Sequence, residues 1–280
     1  MRILPRAAFT GPHGHPVVCA LRLADPPPVG SLRASNIHAM SSAATPLVRH
    51  NSGAASPPMS LASNDLVTLD AARVWDRIHQ EYWGNEFSAH VSAFARFAES
   101  RLSPGLTVLE LGCGAGADAE HFSSRGLQIH AVDFSEFVIE ENRKNRPDSS
   151  VVYGVHDISE RLPYEDQTFD AVYSRLSIHY FDDLTTRKII SDVHRVLKPG
   201  SALFLMCKST SDPLYGIGRK IAEDTFADMT HVRHFFSRPY MDSVLTEAGE
   251  FAVEFLHLSE QDIYGSRCGV VEAVARRLGD

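Results

Sequence analysis

The sequence lacks long apolar runs, paired cysteines and an excess of positive charge. No stretch of its 280 residues approaches the roughly 18 apolar residues that a membrane-spanning helix needs, which excludes a transmembrane helix. The four cysteines are scattered without a CxxC pair, so a zinc or redox motif has no support and reduced thiols are expected. The formal net charge of −8 disfavours polyanionic partners. We therefore expect a cytoplasmic protein with no metal site and no nucleic-acid or membrane partner.

Residues 1–64 are poor in acids and in any sustained periodicity. They contain five arginines and a single acid, Asp25, and they are rich in Ala, Pro and Ser. Such a composition buries too little apolar surface to offset chain entropy, which favours a disordered extension. A start codon assigned too far upstream and an organellar transit peptide are the alternatives. The globular domain is expected to span residues 65–280.

From residue 65 onward, apolar blocks predict helices and strands in turn. Residues 69–102 carry two stretches of helical spacing. Strands are predicted over 106–111, 127–133, 150–157, 169–176 and 201–207, with helices between most of them. A helix near 237–248 and strands near 250–258 and 268–276 follow the less regular segment 209–236. This alternation predicts an α/β fold with a doubly wound parallel sheet.

A glycine-rich segment follows the first of these strands. Gly112, Gly114 and Gly116 allow the backbone to approach a ligand closely and present a helix N-terminus to it. Asp133 ends the next strand, where a carboxylate can accept hydrogen bonds from both ribose hydroxyls of an adenosine-containing cofactor. The order of strand, glycine loop, helix, strand and acid therefore predicts a nucleotide-type cofactor.

Two classes of cofactor fit this frame. Gly112, Gly114 and Ala117 satisfy the GxGxxA pattern of NAD enzymes, whereas Glu110 ahead of the glycines fits S-adenosylmethionine (SAM). The methionine end of SAM carries an ammonium group that a dinucleotide lacks, and a nearby carboxylate can bind it directly or through a water. A Tyr-xxx-Lys pair of the kind used by NAD(P) oxidoreductases is missing. Both observations favour SAM.

Together with its downstream segments, the sequence resembles the class I SAM-dependent methyltransferases, in the branch that acts mostly on small molecules. The matching segments are ELGCGAG, AVDFS, HDISERLPYEDQTFDAVYS and RVLKPGSALFL. They match closely over residues 105–208 and loosely over 65–280. The resemblance implies a Rossmann-like, seven-stranded, mostly parallel sheet with helices on both faces and an antiparallel last strand. It also implies SAM as the cofactor.

The resemblance assigns cofactor-binding roles to several residues. It places the acid of the HDI turn, Asp157, at the adenine amine, Ile158 against the adenine ring, and the segment from Ser174 to His179 along the methyl-donor face. The predicted cofactor-binding set is Glu110, Gly112, Cys113, Gly114, Gly116, Asp133, Phe134, Asp157, Ile158 and Ser174. A purely structural function is the alternative for three of these residues. Asp157 would cap a turn, Glu110 would orient its neighbours, and Cys113 would fill space.

In that family the acceptor site is built from the N-terminal helices, the end of the fourth strand and the insert after the fifth. Here these are residues 69–102, the stretch after residue 176, and residues 209–236. Three clusters are candidates: an aromatic lid of Trp75, Tyr82 and Trp83; His179 with Tyr180; and His231 with Arg233 and His234. The histidines are candidate catalytic bases, and Arg233 is a candidate for binding an anion. Core packing or a surface position is the alternative for each cluster.

The function predicted from the sequence is SAM-dependent methyl transfer to a small-molecule acceptor. The segment SRLS stands at the end of the fourth strand, where enzymes that methylate exocyclic amines of nucleic acids carry N/DPPY. The alternatives are a protein-lysine methyltransferase, suggested by the short stretch YWGNEFS, and a SAM-binding regulator without activity. An NAD(P) oxidoreductase is the disfavoured alternative.

Overall fold

The computed structural model describes residues 73–81, 83–84, 90–228, 231–247 and 250–279. The predicted extension, residues 1–64, and the predicted lid residue Tyr82 lie outside the described residues. Of the two helices expected within residues 69–102, residues 73–81 are helical (α1), and α2 spans Ala93–Glu99. Among the described residues, no helix is long and apolar enough to cross a membrane.

The remaining elements alternate along the chain largely as the sequence predicts. The helices are α3 (Ala117–Ser124), α4 (Glu136–Asn145), α5 (Asp183–Val196) and α6 (Arg238–Thr246). The strands are β1 (Thr107–Leu111), β2 (Gln128–Asp133), β3 (Val152–Val155), β4 (Phe169–Arg175), β5 (Leu197–Lys208), β6 (Arg219–Ala222), β7 (Thr225–Ala227), β8 (Val232–His234), β9 (Phe251–Ile263) and β10 (Ser266–Arg277). A short 3-10 turn, Ile178–Tyr180, follows β4.

The main sheet has seven strands in the order β3-β2-β1-β4-β5-β10-β9. The first five are parallel, whereas β10 runs antiparallel to both β5 and β9. The expected seven-stranded, mostly parallel sheet with an antiparallel last strand is therefore confirmed. Because the parallel strands share one direction, their carboxyl ends meet at one edge, where ligands bind in open α/β sheets.

Successive side chains of the central strands enter two hydrophobic cores, one on each face of the sheet. Leu109 and Val172 pack in the core that includes α5 and α6, whereas Val108 and Tyr173 pack in the core that includes α2 and α3. This alternation follows from the two-residue period of a strand. Both faces of the sheet are therefore covered by helices, as the sequence predicts.

One local prediction is wrong. The sequence predicts the fifth strand over residues 201–207, but β5 already begins at Leu197, and Lys198 forms an ion pair with Asp170 at 2.6 Å. The segment 209–236, where the sequence pattern is less regular, forms a second antiparallel sheet in the order β6-β7-β8. All four residues of β6 are exposed, so no apolar alternation marks that strand in the sequence.

Candidate active site

The glycine loop joins β1 to α3 at the carboxyl edge of the sheet. Gly112, Gly114 and Gly116 have φ angles of +72°, +49° and +74°, in the left-handed region that favours glycine. A Cβ atom at Gly112 would lie 2.5 Å from the Cβ of Ser177, and one at Gly116 would lie 2.6 Å from the Tyr153 hydroxyl. Backbone conformation and lack of space therefore both require glycine at these two positions.

Asp133 holds the loop from the end of β2. Its Oδ2 accepts a hydrogen bond from the Gly114 amide at 2.8 Å, and its Oδ1 accepts one from the Ser135 amide at 3.0 Å. Each carboxylate oxygen has two acceptor positions, so both oxygens retain capacity for a further donor. This arrangement fits the role predicted for Asp133, which is to accept the ribose hydroxyls of a cofactor.

Two residues of the α4 region that the sequence analysis missed hold the loop from behind. The buried Asn142 donates from Nδ2 to the Gly114 carbonyl at 2.8 Å, and Arg146 donates to the Ala115 carbonyl at 2.9 Å. Arg146 also donates to Oδ1 of Asn142. Polar residues four apart on a helix are typical of a solvated face, so the sequence gives no signal of this function. Their contacts fix the loop carbonyls and thereby the orientation of the loop amides.

Glu110 lies on β1 just before the glycines and is only 3% exposed. Its Oε2 has no hydrogen-bond partner among the described residues. Burial, and then the charge of Asp118, raise the pKa of this carboxyl well above its ordinary value. A cationic group placed beside Glu110 would meet this unsatisfied acceptor and favour its ionised form, which fits the ammonium group of SAM.

Cys113 lies between two of the glycines and is buried. Burial, and then the charges of Asp133 and Glu110, raise the pKa of its thiol well above the ordinary value. The thiol therefore stays protonated and is a poor nucleophile. This agrees with the interpretation of Cys113 as a residue that fills space in the loop.

The residues predicted at the adenine end have local structural functions in the chain itself. Oδ1 of Asp157 accepts hydrogen bonds from the backbone amide and the hydroxyl of Ser159, at 2.9 and 2.7 Å. Asp157 therefore caps a turn, as its alternative interpretation expects. Ile158 is buried in the core that contains α5, and Phe134 is half-buried next to Asp133. The contacts of Asp157 and Ile158 with adenine, and of Phe134 with the cofactor, remain predictions.

A strained turn after β4 packs against the glycine loop. Ser174 and Ser177 share a hydrogen bond at 2.6 Å, and Ser177 donates to the Leu111 carbonyl at 3.0 Å. Leu176, between the two serines, has a φ of +57°, a conformation that is strained for a residue with a side chain. The strain is located at the carboxyl end of β4, where the sequence places the methyl-donor face.

Helix α1 lies over this edge of the sheet. Oδ1 of Asp76 accepts a hydrogen bond from the Ser135 hydroxyl at 2.5 Å, and His79 Nε2 lies 4.0 Å from Asp133 Oδ1. Trp75, one turn before His79, packs edge-on against Tyr180 with 4.8 Å between the ring centroids. One helix therefore lies near the acid predicted to bind the cofactor and contacts residues predicted for the acceptor.

The predicted acceptor residues are partly brought together. Five of them form what we call the acceptor-side cluster: Trp75, His179, Tyr180, His231 and Arg233. The Tyr180 ring is central, with ring centroids 4.3 Å from His179 and 5.4 Å from His231, and its centroid lies 5.9 Å from the Arg233 guanidinium carbon. Trp75 also contacts His231, at 5.0 Å between ring centroids. This places residues from α1, the 3-10 turn and the β8 region around one ring.

Two predicted members lie elsewhere. His234 packs against Tyr240 of α6, with 4.3 Å between ring centroids, because adjacent residues of a strand point to opposite faces and His234 follows Arg233 on β8. The three candidate residues His231, Arg233 and His234 therefore do not form one unit. Trp83 packs against Phe137 of α4 at 6.0 Å, so the aromatic lid does not form as a single group among the described residues.

The imidazoles of the cluster are neutral near pH 7. Burial, and then the charge of Arg233, lower the pKa of His231 to about 4. Burial, and then Lys208 and Arg233, lower the pKa of His179 well below its ordinary value. Neutral imidazoles can accept a proton from a substrate. Throughout the described ranges, no group of three His, Cys, Asp or Glu side chains is arranged to hold a metal ion.

The chain is similar to known methyltransferases in sequence and in fold. Residues 109–205 match the family model described as a methyltransferase domain. Malonyl-[acyl-carrier protein] O-methyltransferase of Enterobacter lignolyticus is 31% identical over 158 residues, which cover 55% of this chain and 59% of that protein. A demethylmenaquinone methyltransferase of Renibacterium salmoninarum is 26% identical over 159 residues, 57% of each chain. The chain thus spans about half the length of the curated relatives it matches.

Solved structures show the same fold. The 1,6-didemethyltoxoflavin-N1-methyltransferase of Burkholderia thailandensis, solved with S-adenosylhomocysteine, superposes with a TM-score of 0.61 at 18% identity, covering 80% of this chain and 94% of that one. A SAM-dependent methyltransferase of Methanosarcina mazei superposes with a TM-score of 0.59 at 20% identity, covering 66% and 98%. At these identities the likeness establishes the fold.

Proposed function

The chain has the methyltransferase domain and the fold of the class I SAM-dependent family, and from this premise we propose that it transfers a methyl group from SAM to a small-molecule acceptor. One observation carries the proposal. A glycine loop, the acid Asp133 and the buried Glu110 lie at the same sheet edge as the enclosed acceptor-side cluster, and α1 contacts both. Cofactor and acceptor would therefore bind next to each other beneath α1.

The residues at this edge fit SAM, which when bound supplies a methyl group on a positively charged sulfur. The carboxyl of Glu110 offers an unsatisfied buried acceptor to an ammonium group. Asp133 offers the remaining acceptor positions of its two oxygens to ribose hydroxyls. Asn142 and Arg146 hold the loop in place, so no reorganisation of these groups is needed on binding.

Residues on the acceptor side would align the acceptor, exclude water and take up a proton. Trp75 and Tyr180 contribute aromatic surface that excludes water from the site. His231 is a candidate base, because its neutral imidazole can accept the proton that an amine or hydroxyl acceptor loses. His234 is a weaker candidate, since it faces α6 on the other side of β8.

The burial of the acceptor-side cluster favours a small molecule over a polypeptide as the acceptor. The cluster is built from buried or half-buried side chains of three separate segments. The names of relatives include demethylmenaquinone and didemethyltoxoflavin methyltransferases, which are small-molecule enzymes. The experiment below is designed to identify the acceptor.

The test measures S-adenosylhomocysteine formation against a panel of thiols, selenite and tellurite, catechols, amines, carboxylic acids and a protein extract. Asp133→Ala removes the acceptor for ribose and should weaken SAM binding by about tenfold or more. Asp148→Ala changes an exposed aspartate and is the matched control, with expected wild-type behaviour.

Three results would contradict the proposal. Turnover that requires polypeptide would indicate a protein methyltransferase. SAM binding without turnover of any acceptor would indicate a regulator. Equal SAM affinity in Asp133→Ala and Asp148→Ala would show that the cofactor does not bind at this edge.

A further inference from the structure

The acceptor-side cluster contains buried nitrogen atoms whose hydrogen-bonding capacity is not used. Neither ring nitrogen of His179 has a hydrogen-bond partner among the described residues, and the Nε of Arg233 has none there either. His179 is completely buried, and Arg233 is 9% exposed. Buried donors without an acceptor are costly and rare in folded proteins. Two of them in one cluster therefore indicate an acceptor that a ligand supplies.

The two groups lie against the same aromatic ring. The His179 ring centroid is 4.3 Å from that of Tyr180, and the Arg233 guanidinium carbon is 5.9 Å from it. Trp75 of α1 covers the same tyrosine at 4.8 Å. His179, Arg233 and Trp75 are thus grouped around one tyrosine ring.

The charges around the cluster define the ligand further. Lys208 forms an ion pair with Asp212 at 2.7 Å, and Arg233 forms one with Asp228. On the other side of β8, Asp182, Asp183 and Asp224 act on His234.

Apart from burial, Lys208 and Arg233 act most strongly on the ring of His179, and both are cations, so this position favours negative charge. Each cation is already paired, so a doubly charged phosphate would be poorly compensated there. A carboxylate carries a single charge and two acceptor oxygens, which suits one N–H from Arg233 and one from His179.

We propose that the methyl acceptor carries a carboxylate, bound by Arg233 and His179 beside the ring of Tyr180. The inference rests on the proposed function, since it names the class of small molecule that the same site takes. Arg233 and His179 are then binding residues. His231, two residues before Arg233 on the same side of the β8 segment, faces the same ligand.

The experiment uses the protein saturated with S-adenosylhomocysteine and two matched probes, benzoate and its uncharged analogue benzamide. Binding is followed by calorimetry and by the ¹⁵N resonance of the Arg233 Nε–H group. Benzoate should bind and shift this resonance, whereas benzamide should not. Arg233→Lys and His179→Phe should each weaken benzoate binding by about tenfold or more while S-adenosylhomocysteine affinity stays unchanged. Arg267→Lys, at an exposed arginine of β10, is the control and should match the wild type.

Several outcomes would overturn the inference. Equal affinity for benzoate and benzamide, unchanged benzoate affinity in Arg233→Lys, or tighter binding of phosphate or sulfate would each do so. If Arg233→Lys does not fold, His179→Phe and the resonance of the wild-type protein decide the question. Failure of the wild type to bind S-adenosylhomocysteine would contradict the proposed function, whereas benzoate binding that persists in that case would still support the carboxylate site.

Discussion

At the scale of single residues, the buried imidazole of His231 gives the protein a pH-dependent stability. Its pKa is lowered to about 4 by burial and then by Arg233. At pH values between this lowered pKa and the ordinary histidine pKa of about 6.5, the unfolded chain binds a proton that the folded chain does not. Stability is therefore fully present above this window and falls as the pH decreases through it. The loss from one such group is at most roughly 3 kcal/mol.

His231→Gln should reduce this loss, as measured by urea unfolding at neutral pH and at about pH 4.5. Other buried histidines also contribute, so the relevant quantity is the difference between wild type and variant. His257→Gln, at an exposed histidine of β9, should leave the pH dependence unchanged. A His231→Gln variant with the full wild-type pH dependence would show that His231 titrates normally.

Single residues also show where sequence reasoning reaches its limit. The sequence singles out Gly112, Glu110 and Asp133, because the motif that marks them is local to two consecutive strands. It does not predict the contacts of Asn142 and Ser177 with the glycine loop, because these contacts join segments far apart in the chain. Arg233 and His234 face opposite sides because they are adjacent residues of β8. The sequence of that insert does not predict this strand.

At the scale of elements, α1 is attached to the sheet edge through Ser135. This hydroxyl caps α4 by accepting from the Val138 amide at 3.2 Å and donates to Asp76 of α1 at 2.5 Å. Ser135→Ala should therefore loosen α1 in addition to removing a cap, whose loss alone costs about 1 kcal/mol. We expect faster amide hydrogen exchange in residues 73–81 and weaker S-adenosylhomocysteine binding by a few-fold.

Ser237→Ala is the matched control, because Ser237 caps α6 by accepting from the Tyr240 amide and lies away from α1. It should lower stability by a similar amount without changing exchange in α1. Equal exchange in residues 73–81 of both variants would show that the bond between Asp76 and Ser135 does not hold the helix.

The predictability of the elements follows their burial. The sequence predicts β1 and β4 because both faces of these strands are covered, which leaves continuous apolar runs. It does not predict β6, whose residues are all exposed, nor the start of β5 at Leu197, where Pro199 and Gly200 suggest a turn. The buried central strands β1 and β4 are thus visible in the sequence, whereas the exposed strand β6 is not.

At the scale of the whole molecule, the composition of residues 1–64 predicts that the folded domain does not depend on them. Removal of residues 1–64 should leave the melting temperature and S-adenosylhomocysteine affinity nearly unchanged. Removal of residues 1–89 also deletes α1, which contacts Asp133 and Tyr180, and should weaken cofactor binding. A drop of several degrees after the shorter deletion would show that residues 1–64 pack on the core. Differential scanning calorimetry with and without S-adenosylhomocysteine measures both effects.

The order of the last two strands has a consequence for synthesis of the chain. Strand β10 lies between β5 and β9, although it follows β9 in the sequence. While the chain leaves the ribosome, the 13 residues of β9 emerge before the strand that joins them to the sheet. Until residues 266–277 have emerged, β5 also presents an open edge to its surroundings. Two strand edges therefore stay open to pairing with other chains until β10 is inserted between them, so insertion of β10 is the step that closes the sheet against association.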